Sequence, residues 1–352
     1  MRRSFHFRNF ILPEKYRVVY EIPPGSFLRR LFKSIWYDGV VSVIYMVLLF
    51  MKDMGSSPPE LNIEEIPNKT GQVAVISGSP RSLTFGIAKR LLQLDYTVII
   101  GIKMVEECDK KIAKLKALGI STRNLKLIEV DFKSLKSVSK FAEAVLERCI
   151  RIDLLICNGG VQNAPFERSD NGLECHFQIN YLSQFLLTNL LLDRLKYTSK
   201  AKDSACQVIY VTSVAHFCSR LDFLELEKSK VYNAMKCYYD SKLCQVASML
   251  TLDRVLKTEG ANVQCFAIHP GMINVDLWES IGAGSIFGSV ICRPIETAAD
   301  TVLWPVFCPE FESKGGLYME NGKAVTPSWE ATNSYTQQRL WGRSYELIRK
   351  YI

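Results

Sequence analysis

The chain has 352 residues, 48% hydrophobic and 23% charged, as expected of a globular protein with a sizeable core. Its net charge is +8, but residues 1–59 hold nine Lys/Arg against four Asp/Glu, so +5 sits in this leader (9 − 4), which argues against nucleic acid as a partner of the main body. Eleven scattered cysteines show neither metal-ligand spacing nor a disulfide framework, and they suit a reducing compartment.

Residues 1–34 form a basic leader. The run from Ile35 to Met51 is apolar but short for a bilayer span, and Asp38 lies near its start. Arg29, Arg30 and Lys33 precede it, and Trp36 and Tyr37 stand where interfacial aromatics would. The run reads as a membrane anchor or a monotopic insertion, with a buried core helix as the alternative. A cleaved signal peptide is disfavoured, because no small-residue cleavage site follows. Residues 52–70, containing Gly55-Ser56-Ser57-Pro58-Pro59, read as a linker, and the folded domain as 71–352.

From there strands and helices alternate. Strands are predicted at Gln72 to Ile76, Thr97 to Ile102, Leu125 to Val130 and Leu154 to Cys157, then at Val208 to Val211 and Val263 to Ile268. Gly316 to Tyr318 is a short seventh. Helical apolar spacing marks Phe85 to Leu94, Glu106 to Leu118, Val138 to Arg148 and Glu174 to Leu195. Such alternation predicts an α/β, doubly wound parallel sheet covered on both faces.

In such sheets ligands bind beyond the carboxyl ends of the strands. The first strand runs into Ser77 to Ala88 (SGSPRSLTFGIA), placed as a phosphate-binding turn that leads into a helix. Lys103 follows the second strand, where an acid would meet the ribose diol of NAD. With Arg81 it leans toward NADP(H). Asp131-Phe132, Asn158-Gly159-Gly160, Thr212-Ser213 and Pro270-Gly271 follow the next four strands. Between the last two of these lies Cys237-Tyr238-Tyr239-Asp240-Ser241-Lys242. On a helix Tyr238 and Lys242 share a face one turn apart, and a nearby ammonium lowers a phenol's pKa toward the working range.

This ordered set resembles the short-chain dehydrogenase/reductase family over roughly Gln72 to Leu347. The phrases INYLSQFLLTNLLL, VTSVAH, YYDSKL and HPGMINVDL resemble its retinol-dehydrogenase-like branch, which acts on lipophilic alcohols and carbonyls. The resemblance implies a Rossmann-like single domain and the catalytic residues Asn180, Ser213, Tyr238 and Lys242. Tyr238 would exchange a proton with the substrate oxygen and Ser213 would orient that oxygen. Lys242 would hold the nicotinamide ribose, and Asn180 a water relay behind it. Cofactor binding would fall to Gly78, Ser79, Arg81, Leu83, Lys103, Asp131, Phe132, Asn158, Gly159, Gly160, Tyr238, Lys242, Pro270, Gly271 and Ile273.

Three departures stand out. In the family's T-G-x-x-x-G-x-G turn only Gly78 remains, with Ser82 and Thr84 on the later glycines. Cys157 replaces the first asparagine of N-N-A-G, and Val275 replaces a threonine after Pro-Gly. The expected activity is hydride transfer between NADP(H) and a lipophilic alcohol, aldehyde or ketone, of retinoid, steroid or polyprenoid type. The alternative is a catalytically weak or inactive relative that serves as a binding or scaffold protein. The leader implies a membrane surface as partner, at the endoplasmic reticulum or a lipid droplet, and the family allows an oligomer. Basic residues before the apolar run would send a spanning chain's domain to the lumen, exposing the sequon Asn68-Lys69-Thr70. The unpatterned cysteines favour the cytosol, and an unglycosylated cytosolic domain is the expectation.

Overall fold

The computed structural model describes residues 57–79, 82–162, 164–221, 232–273 and 292–352, together with Ile44, Leu48 and Met51. The basic leader, most of the apolar run, Arg81 and Val275 lie outside the described residues. The chain divides into two units, Met1–Tyr45 and Met46–Ile352, and the folded domain belongs to the second.

Eight strands form one sheet in the order β3-β2-β1-β4-β5-β6-β7-β8. They are β1 (Val73–Ser77), β2 (Thr97–Ile102), β3 (Leu125–Glu129), β4 (Leu154–Cys157), β5 (Cys206–Val211), β6 (Val263–His269), β7 (Leu317–Glu320) and β8 (Lys323–Val325). All neighbours pair in parallel except β7 and β8. Those two join through Asn321 and Gly322, both at positive φ (52° and 72°), the two-residue turn that suits the twist of a hairpin. Strand β8 lies beyond the seven expected from the sequence, and the Asn-Gly pair before it is its local signal.

The helices are α1 (Ser82–Gln93), α2 (Asp109–Ala117), α3 (Leu135–Arg148), α4 (Ser183–Lys202), α5 (Ala234–Thr258), α6 (Ile295–Phe307), α7 (Trp329–Thr332) and α8 (Ser334–Ile348). Side chains alternate across each strand, so Val73 and Val75 of β1 join one core and Ala74 and Ile76 the other. The first core takes apolar residues from α3, α4, α5 and α8, the second from α1, α2 and α6. Coverage on both faces explains why the strands read as continuous apolar runs.

Two local features differ from the sequence reading. The helix expected from Glu174 begins with a wide π-helical stretch, Phe177–Leu182, before α4. The Glu174 carboxylate accepts from the backbone N–H groups of His176 and Phe177, both at 2.9 Å. Part of the expected linker also packs on the domain. Leu61 is buried in the second core, Ile63 and Ile66 lie against it, and Lys69 N donates to Leu94 O. Among the described residues no helix is long and apolar enough to cross a membrane.

Candidate active site

Parallel pairing of β1, β4, β5 and β6 brings their carboxyl ends to one edge of the sheet. The first group there is a polar knot under the β1 turn. Ser77 Oγ donates to Gln184 Oε1 and accepts from Asn158 N at 3.1 Å and Gly159 N at 3.2 Å. Asn158 Nδ2 donates to Thr84 Oγ1 at 2.9 Å, and Ser79 N approaches the same oxygen at 3.4 Å. Thr84 is buried beside Gly78, while Leu83, half-buried, lies in the first turn of α1. Phe132 lies near the Cα of Gly159, where an added Cβ would stand 3.3 Å from its ring.

At the far end of β2, Lys103 Nζ lies 2.7 Å from Asp131 Oδ2. Burial pushes the Asp131 pKa up, but hydrogen bonds from Lys103 and from the Lys133 backbone outweigh it, and the net shift is downward. The expected ribose-side cation and the expected adenine-side acid are therefore one ion pair.

The residues with chemical potential gather on α5 and the loop after β5. The helix starts at its Asn233 cap, whose side chain accepts from Lys236 N, and it sets Tyr238 and Lys242 one turn apart. Lys242 Nζ lies 5.6 Å from the centroid of the Tyr238 ring. It donates to Val211 O at 3.0 Å and to Gln245 Oε1 at 3.1 Å. Burial pushes the Lys242 pKa down to about 7. Ser213 caps the 3-10 turn Val214–Cys218, accepting from Ala215 N at 3.2 Å. Burial of the Tyr238 hydroxyl raises its pKa, and a hydrogen bond with Ser213 pulls it partly back. An ammonium one turn away would by itself lower that pKa. Burial acts against it, since the same burial also weakens the charge on Lys242.

Asn180 completes the group from the π-helical stretch. Its Oδ1 accepts from Val161 N at 2.7 Å, and its Nδ2 donates to Val161 O at 3.0 Å and to Ser241 Oγ at 2.9 Å. Ser241 Oγ in turn donates to Tyr238 O at 2.7 Å. Gly160 sits between them, where an added Cβ would stand 3.3 Å from Asn180 Oδ1 and 3.9 Å from Lys242 Nζ. Pro270, Gly271 and Ile273 follow β6, and an added Cβ on Gly271 would meet the Arg293 side chain at 2.4 Å. Of the two other tyrosines near the motif, Tyr239 is buried and Tyr232 donates its hydroxyl to Ala164 O.

Two residues of the site went unread in the sequence. His216 Nδ1 stands 2.9 Å from Ser213 O, and its Nε2 accepts from Ser328 N at 3.2 Å. A ring nitrogen that accepts leaves the other to donate, so the neutral imidazole bridges the serine's carbonyl and the cap of α7. Gln245 connects Lys242 to Asn180. Neither residue belongs to a spacing motif, and His216 was visible only as the last letter of VTSVAH. The arrangement can pass a proton from Tyr238 to an oxygen held near Ser213.

A family model described as short chain dehydrogenase matches residues 72–285. Human polyprenol dehydrogenase is 30% identical over 286 residues, covering 80% of this chain and 86% of that protein. Human retinol dehydrogenase 13 is 30% identical over 293 residues, covering 80% and 85%. The NADP complex of Pseudomonas aeruginosa RhlG superposes with a TM-score of 0.56 at 22% identity, over 72% of this chain and 95% of that one, a likeness of fold. The order of strands, the gathered tyrosine, lysine, serine and asparagine, and these matches agree: the chain belongs to the short-chain dehydrogenase family, in its retinol-dehydrogenase-like branch, and is an alcohol dehydrogenase/carbonyl reductase type oxidoreductase.

Proposed function

We propose that the protein interconverts a lipophilic alcohol and its aldehyde or ketone with NADP(H), at a membrane surface. The observation that carries this reading is Tyr238 and Lys242 one turn apart on α5, with Nζ 5.6 Å from the ring centroid and Ser213 drawing the Tyr238 pKa down against burial. The substrate class follows the relatives named for polyprenol and retinol. Leu48 and Met51 are helical with exposed side chains, which suits apolar residues meeting lipid.

The residues present fit a nicotinamide nucleotide. An ammonium has three N–H donors, and Val211 and Gln245 use two of those on Lys242, leaving one for a ribose hydroxyl. Gly160, without a Cβ, keeps the floor beside it open. Lys103 offers a half-exposed cation to a 2′-phosphate. The bound nicotinamide would supply or accept the hydride. Tyr238 would hold and move the proton at the substrate oxygen, and Ser213 would orient that oxygen. Lys242 would favour the phenolate, while Asn180 keeps α5 in register through Ser241.

The test is NADPH oxidation by the full chain in lipid vesicles, offered a retinoid aldehyde, a polyprenal or a ketosteroid. Turnover with at least one of them, lost in Tyr238→Phe, is the expected result. Saturable NADPH binding without turnover on any of the three would overturn the substrate class. A second reading, a cofactor-poor binding protein, is favoured by Thr84 standing where the family has a glycine. Fluorescence titration with NADPH separates the two, since this second reading requires no saturable binding.

A further inference from the structure

Among the described residues Lys242 is a buried cation without a carboxylate partner. On its own helix the titratable group facing it is Tyr238, with Nζ 5.6 Å from the ring centroid. From β5 it meets the neutral carbonyl of Val211, and across the space beside Gly160 stands the neutral amide of Asn180. Burial is the one cause that moves its titration. A cation so placed depends on the neutral acceptors that hold it.

One of those acceptors is a side chain with a second attachment. Gln245 is wholly buried, its Oε1 accepts from Lys242 Nζ at 3.1 Å, and its Nε2 donates to Asn180 O at 2.7 Å. The two neighbours fix the direction of the amide. An ammonium only donates and a carbonyl only accepts, so the oxygen must face Lys242 and the nitrogen Asn180. The carbonyl that takes this bond lies within the π-helical stretch Phe177–Leu182, so the amide ties α5 to that stretch. Asn180 is thereby joined to α5 twice, through Ser241 to the backbone of Tyr238 and through Gln245 to the ammonium of Lys242.

We infer that Gln245 is a positioning residue of the active site: its amide sets the rotation of the Lys242 ammonium and couples it to the π-helical stretch at Asn180. No other side chain of that size satisfies both ends. A carboxylate would turn a lone pair on the Asn180 carbonyl, and a thioether would serve neither partner. The inference rests on the proposed hydride transfer only in its kinetic arm.

The test follows the side-chain 13Cε signal of Lys242 through a pH titration of the full chain without nucleotide. The signal is assigned by its loss in Lys242→Arg. Gln245→Met keeps length and apolar volume but removes the amide, and it should move the midpoint down by about one pH unit, as expected for a lost hydrogen bond to a charged group. Gln245→Glu should move it up, because an opposite charge favours the ammonium. In turnover, the alkaline limb of the pH profile should shift in the same two directions. A purely structural glutamine would lower the melting temperature of both variants and leave both midpoints in place, and that result would overturn the inference. Should Gln245→Met not fold, an unmoved midpoint in Gln245→Glu overturns it alone. Opposite shifts in a protein that shows no turnover would support the positioning and count against the proposed reaction instead.

Discussion

Gly78 and Thr84 compete for one space: a Cβ built on Gly78 would fall 2.5 Å from Thr84 Cγ2 and 2.6 Å from Oγ1. The turn after β1 thus closes on a buried β-branched side chain, whose hydroxyl is held by Asn158 and by Ser79 N. The remaining glycine is required by the threonine that replaced another.

Gly78→Ala should therefore destabilise the domain by about 1–3 kcal/mol, the range for forcing an extra carbon into a packed site. Thr84→Ala in the same chain should recover most of that loss. Denaturant unfolding of both single variants and the double variant measures the coupling. Strict additivity would show that the two side chains do not share the space.

Tyr238→Phe removes the exchangeable proton while leaving the ring over which Lys242 sits. Turnover should fall by about 10²–10⁴-fold, the usual contribution of a positioned acid-base group. NADPH affinity, read by fluorescence titration, should stay close to that of the unmodified protein. Retained turnover would move the proton transfer elsewhere.

Lys103→Glu replaces a salt bridge of 2.7 Å with a second carboxylate beside that of Asp131. NADPH binding should weaken by about tenfold or more, since a charge-assisted contact becomes repulsion. NADH binding should change far less. Parallel losses for both nucleotides would remove Lys103 from 2′-phosphate recognition.

His216 supplies a pH prediction. Burial lowers its pKa from 6.5 to about 4, although its hydrogen bond with Ser213 acts in the opposite direction. The unfolded chain therefore binds more protons than the folded one between these values. Folded stability from this group is complete above pH ~6.5 and is lost as pH falls toward about 4. Melting temperatures of His216→Gln should fall less steeply over that window than those of the unmodified protein. Identical slopes would exclude His216 as the titrating group.

Much of the architecture was legible because it is periodic and local. Unbroken apolar runs gave away strands covered on both faces, and i,i+4 spacing placed Tyr238 and Lys242 on one side of a helix. The order of the strand-end segments located Gly78, Asn158, Ser213 and Pro270, because parallel strands place all their carboxyl ends at one edge. Helices α6 and α8 are less legible, because their buried faces mix apolar residues with Asp300 and Thr301, and with Thr336, Gln337 and Ser344.

What remained belongs to contacts between distant parts of the chain. His216 reaches Ser328 across 112 positions, Gln245 reaches Asn180 across 65, and Lys103 meets Asp131 from a neighbouring strand end. Spacing along the chain carries no record of such pairs, since each depends on which faces the sheet brings together. Burial, too, is set only there. The same lysine that reads as an ordinary cation in YYDSKL becomes, once enclosed by β5 and the π-helical stretch, a group that titrates near 7.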